Sequence, residues 1–320
     1  MREESKKMAK KVIIDCDPGH DDAMALLLAC GNPEIDILGV TTVGGNHVLE
    51  KVTYNARAVL EMAGATCIPV YAGCPRPILR KQKIADYVHG ETGLDGAELP
   101  VPTRPLEKIH AINFLVTTLM NSEPKTITLV QTAPLTNLAL AVRLRPEIVS
   151  RVREVVIMGG GVHEGNSSAV SEFNVRTDPE AARIVFHQKW PITMIGLDVS
   201  HKAICTQEVQ ARIKALGTPL AIFASDLMDF FRKAYRENQD FPDPPVHDPC
   251  TIAYLIDPSI VRTRRAFVEV ETLGYYTLGM TVADMRGLEP SPEECNIQVG
   301  LDLNTEEFWN LIIRAIRELG

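Results

Sequence analysis

Absences narrow the field first. The 320-residue chain has no apolar run approaching the roughly 18 residues that a membrane span requires, so no transmembrane segment is expected. Its first residues, "MREESKKMAKK", are charged and lack an apolar core, which argues against a secretory signal. There is no surplus of positive charge: 33 Lys and Arg against 41 Asp and Glu give a net charge of -8, and a nucleic-acid polymer is not an expected partner. The seven cysteines are scattered, odd in number and never spaced as CxxC, which excludes a disulfide framework or zinc site and points to a reducing, cytoplasmic setting. No internal repeat, low-complexity tract or Pro/Gly/Ser-rich linker divides the chain. One domain over residues 11–320 is expected, behind a disordered tail over residues 1–10.

What is present alternates. "KVIID" reads as a strand, and "DDAMALLLAC" as a helix that opens behind Pro18 and Gly19. "IDILGVTTV", "TITLVQ", "EVVIMGG" and "ITMIGLD" are further short β-branched runs, each followed by a helical pattern. Apolar strands of this kind are covered on both faces, so the expected fold is α/β, Rossmann-like, with a mostly parallel open sheet and helices on both faces. Pro-rich stretches near 73–107 and 238–247 read as mobile lids.

Open parallel sheets bind ligands beyond the carboxyl ends of their strands. After the first strand come four aspartates within eight residues: Asp15, Asp17, Asp21 and Asp22. Helix capping accounts for one or two of them. It does not account for four, because two carboxylates about 4 Å apart repel by about 4 kcal/mol at an effective dielectric of 20, against about 1 kcal/mol from a cap. A cation resolves the conflict, and an all-oxygen donor set selects Ca²⁺ or Mg²⁺ over zinc. A haloacid-dehalogenase-like phosphatase also ends a strand in Asp-x-Asp, but it calls for Thr or Val where this chain has Gly19 and has no use for Asp21 and Asp22.

"DCDPGHDDAMAL" resembles the N-terminal signature of the inosine-uridine nucleoside hydrolases. "TTVGGN", "HGETG", "TITLV", "LTN", "VVIMGGG", "HEGN", "EFN", "DPEAA", "VHDP" and "TLGMTVAD" follow in that family's order, from about Lys11 to the C-terminus. The resemblance implies a Rossmann-like fold, one Ca²⁺ per subunit, hydrolysis of ribonucleosides to base and ribose, and assembly as a homodimer or homotetramer. It implies Asp17, Asp22, Asp248 and the Thr132 carbonyl as metal ligands, and Asp17 as the base that activates a Ca²⁺-held water. It implies Asp21, Asn46, Asn166, Glu172 and Asn174 as ribose-binding residues, with Asp15 as a structural carboxylate behind them. Tyr235, His89 and His247 fall where the leaving base is contacted, with Met158 beneath the site. His247, at an ordinary imidazole pKa near 6.5, is the expected acid for the departing base, and His89 its substitute.

Two departures stand out: Ala133-Pro134 where relatives carry Gly, and Arg176-Thr177 where many members are apolar. The "GGG" run after Met158 lacks the lysine of a phosphate loop and reads as tight packing. A catalytically silent nucleoside- or ribose-binding protein is the alternative from another class. It would have no need to keep Asp17 beside a complete metal set. No phosphate-binding feature supports phosphorolysis.

Overall fold

The computed structural model describes residues 9–320. All but the last two residues of the expected tail lie outside this range. Lys10 already belongs to the first strand, paired with Ile35.

Nine strands form one sheet: β1 (Lys10–Cys16), β2 (Ile35–Thr42), β3 (Val70–Ala72), β4 (Ile127–Gln131), β5 (Val152–Met158), β6 (Ile192–Ile195), β7 (Val261–Val270), β8 (Thr281–Asp284) and β9 (Ile297–Leu303). Their order is β3-β2-β1-β4-β5-β6-β9-β7-β8. Every pairing from β3 to β9 is parallel, and β7 runs antiparallel to both β9 and β8. The expected parallel core is present. The antiparallel edge is an addition that the β-branched runs did not signal.

The central strands are buried along their length because helices cover both faces. One apolar cluster joins the sheet to helices His20–Cys30, Pro219–Asn238, Pro249–Ile256 and Thr305–Leu319. A second joins it to Ala111–Asn121, Thr136–Leu144 and Pro179–Phe186. Successive strands are added to one side of β1 and, from β4 on, to the other, and the crevice at such a switch point is where open α/β sheets bind ligands. Asp15 is in register with Gln131 across that junction, so the aspartates and Thr132 emerge side by side at the carboxyl edge. Among the described residues, no helix is long and apolar enough to cross a membrane.

Candidate active site

Asp15 is the last but one residue of β1 and is fully buried. Its Oδ1 accepts the Thr41 hydroxyl at 2.5 Å and the Asn137 amide at 2.8 Å, tying β1 to β2 and to helix Thr136–Leu144. Burial pushes its pKa up to about 7, and the two donors pull the other way. Its Oδ2 is buried without a partner.

Asp17 follows β1. Its Oδ2 accepts the Asn46 backbone N–H at 2.5 Å, while Oδ1 is buried without a partner. Asn46 also spans the aspartates with its side chain, donating to the Asp17 carbonyl at 3.2 Å and to Asp22 Oδ2 at 3.4 Å. Asp21 and Asp22 occupy the first turn of helix His20–Cys30, where Asp22 Oδ2 also accepts the Gly19 N–H at 3.4 Å. Carboxylate oxygens of Asp21, Asp22 and Asp248 all lie within 4.8 Å of one another. The tightest set thus includes Asp21, which the sequence assigned to ribose. Asp17 is joined to it through Asn46. Thr132 donates its hydroxyl to Asp22 Oδ1 at 2.7 Å, and its carbonyl accepts the Asn174 amide at 3.1 Å.

Burial raises the pKa of all four carboxyls, to about 6 for Asp21 and about 8 for Asp22. Asp17 and Asp248 are pushed well up, first by burial and then by Asp22 and Asp21 respectively. None of the four makes an ion pair with a described residue, and Asp21 Oδ1, like Asp17 Oδ1, is buried and unpartnered. Clustered oxygens with unused lone pairs and no protein cation fit a hard divalent ion.

Across the cavity, Glu172 caps the short helix Phe173–Thr177, accepting N–H groups of Asn174 at 2.8 Å, Val175 at 3.1 Å and Gly160 at 3.0 Å. Burial raises its pKa to about 7, against those three donors. Asn174 lies inside that helix rather than capping it, and bridges the carbonyls of Thr132 and Met158. Asn166 Oδ1 fixes Phe173 N at 2.9 Å. The "GGG" turn is spent on this packing: Gly160 has φ +75° and gives its N–H to Glu172. Arg176 donates to the Ser167 carbonyl, which ties the "HEGN" loop to the helix and gives that departure a structural reason.

His247 is buried, with Nε2 2.9 Å from the Tyr235 hydroxyl and Nδ1 2.8 Å from the Ser200 hydroxyl. The expected ordinary imidazole is corrected here. Burial lowers the His247 pKa to about 3, so the ring is neutral and works inside a hydrogen-bonded chain.

One cavity is lined by Asp21, Asn46, His89, Thr132, Met158, Asn166, Glu172, Asn174, Tyr235, His247 and Asp248. Asp17 and Asp22 sit behind its wall. Tyr87 and Gln239 also line it, and the sequence reading missed both. Gln239 lies one helical turn beyond Tyr235, a spacing that could have found it. Both stretches read as lids contribute to the wall.

A family model described as inosine-uridine preferring nucleoside hydrolase matches residues 12–310. The chain is 49% identical over 314 residues to the inosine-uridine preferring nucleoside hydrolase of Crithidia fasciculata, covering 98% of this chain and 99% of that protein. It is 43% identical over 308 residues to the pyrimidine-specific ribonucleoside hydrolase RihB of Escherichia coli, covering 96% and 97%. Among solved structures, a purine-preferring ribonucleoside hydrolase from Gardnerella vaginalis superposes with a TM-score of 0.90 at 32% identity, covering 97% of this chain and 99% of that one. Sequence and fold agree along essentially the whole chain, which belongs to the inosine-uridine preferring nucleoside hydrolase family.

Proposed function

We propose that this chain hydrolyses the N-glycosidic bond of ribonucleosides, inosine and uridine among them, to free base and ribose. One observation carries the reading beyond family membership. A single cavity opposes the carboxyls of Asp21 and Asp248, Asp21 with one oxygen unpartnered, to a fixed Glu/Asn set on one side and a Tyr–His pair on another. Breaking the bond builds positive charge on the ribose, and a wall of carboxylates complements it.

Asp22, Asp248 and Asp21, with Asp17 and Thr132 beside them, would hold Ca²⁺. A bound Ca²⁺ would offset their mutual repulsion and polarise water and ribose hydroxyls alike. Asp17 has its Oδ2 fixed by Asn46 and its Oδ1 free, and we assign that oxygen the proton of the attacking water. The water oxygen bonds to the anomeric carbon, the C–N bond breaks, and its electron pair leaves with the base. Asp21, Asn166, Glu172 and Asn174 grip the sugar, with Asn46 aligning the carboxylates. The departing nitrogen takes a proton from the Tyr235–His247 pair, which Ser200 holds in place; solvent refills that pair as Asp17 releases the proton it gained, so one water is divided between sugar and base.

A silent binder would leave the free oxygen of Asp17 without a use. The seven free cysteines suit a cytoplasmic protein, and the single continuous sheet suits one catalytic domain from residue 11. We extend the proposal to a homodimer or homotetramer, measurable by light scattering. The decisive assay is release of ribose from inosine and uridine. Asp17→Asn should lower kcat by about 10²-fold or more. No ribose from either nucleoside refutes the activity, and a fully active Asp17→Asn protein moves the base elsewhere.

A further inference from the structure

The "DPGH" turn and the "HGETGLDG" loop are 69 residues apart in sequence and locked together in space. His20 is completely buried and lies parallel to three rings: Phe231 at 4.9 Å, Phe230 at 5.3 Å and His89 at 5.4 Å. Its Nε2 is 2.8 Å from the Asp95 carbonyl, which can only accept, so His20 donates there. Its Nδ1 is 3.1 Å from His89 Nδ1, which the His20 backbone N–H also reaches at a longer 3.4 Å. His89 is pressed flat on Gly19, where an added Cβ would stand 2.4 Å from the ring. With Nδ1 turned to His20, the other ring nitrogen of His89, Nε2, makes no hydrogen bond to a described residue, and this ring lines the nucleoside cavity.

We propose that His20 is a positioning residue for substrate binding: it holds the His89 imidazole against the cavity wall so that Nε2 meets a polar group of the nucleoside. This rests on the nucleoside reading of the cavity. His20 itself touches no substrate. It acts through the contact to His89, and its second bond holds the loop that carries His89.

The two nitrogens can be tested separately. Asparagine places an amide near the position of imidazole Nδ1, and glutamine places one near that of Nε2. His20→Asn therefore keeps the side-chain contact to His89, and His20→Gln keeps only the side-chain bond to Asp95; every variant keeps the long backbone N–H contact to His89. His20→Phe keeps the ring stack and loses both. Losing one hydrogen bond that orients a binding group costs on the order of tenfold in affinity at most. We expect KM for inosine to rise about five- to tenfold in His20→Phe and His20→Gln with kcat within about twofold, and to stay near wild type in His20→Asn. In a His89→Ala background, His20→Phe should add nothing further. Additive losses in that double mutant, or an Asn variant as impaired as the Phe variant, would overturn the proposal. If His20→Phe does not fold, the Asn and Gln pair decides alone. A wild-type protein that neither binds nor cleaves inosine overturns the nucleoside reading along with it.

Discussion

At the scale of single residues, Gly45 has the least freedom. An added Cβ there would stand 1.9 Å from Asp17 Oδ2 and 2.8 Å from Pro134 Cδ. The glycine is squeezed between the assigned base and the Ala133-Pro134 departure, so it fixes how closely β2 can bring Asn46 to Asp17. Gly45→Ala must push Asp17 aside. We expect kcat to fall at least tenfold, since small misplacements of reacting groups are costly, with little change in melting temperature. Wild-type turnover in Gly45→Ala would show that the position of Asp17 does not limit the reaction. The aspartates were legible in the sequence because they are neighbours in the chain, as were Asn46 and Asp248 through their motifs. The reason for Gly45 was not, since Pro134 is brought against it only by the β1–β4 junction. The surroundings of His247 were not legible for a related cause: Ser200 and the burial that lowers its pKa come from distant segments.

At the scale of elements, the helix that carries Asp21 and Asp22 must be held rigidly, because its first turn is the site. It is buried from His20 to Ala29 and ends at Gly31, where an added Cβ would stand 2.4 Å from the Ala315 carbonyl of helix Thr305–Leu319. Backbone cannot yield there as a side chain can. Gly31→Ala should therefore destabilise the fold by about 1–3 kcal/mol, the usual range for overpacking, while kcat per folded molecule stays unchanged. An unaltered urea midpoint would refute this close approach. Elements of this kind were legible where period and composition coincided, as in β1, β2, β4, β5 and β6. The antiparallel edge was not. β7, "VRTRRAFVEV", alternates irregularly between buried and exposed positions, and β8 has only four residues, so neither shows the apolar run of a central strand. Their pairing depends on β9, which is closed in by tertiary contacts rather than marked by its own sequence.

At the scale of the whole molecule, four buried carboxyls at one point link folding to ion binding and to pH. In the metal-free protein, burial holds Asp21 near 6 and Asp22 near 8, against an ordinary carboxylate value of 3.8. A group whose pKa rises on folding favours the fold below its unfolded value, and that contribution is lost as pH climbs through the folded value. Metal-free protein should therefore lose stability steadily from about pH 4 to about pH 8. A divalent cation reverses the preference, because it favours the ionised carboxylates that burial disfavours. Saturating Ca²⁺, at roughly a thousand times its dissociation constant, adds about 4 kcal/mol to the folded state. Melting curves with chelator and with Ca²⁺ should then diverge as pH rises, close together in acid and furthest apart near pH 8. Activity lost on chelation should return with Ca²⁺. Superimposable curves at every pH, together with full activity and no ion by elemental analysis, would leave the four carboxyls needing some other partner.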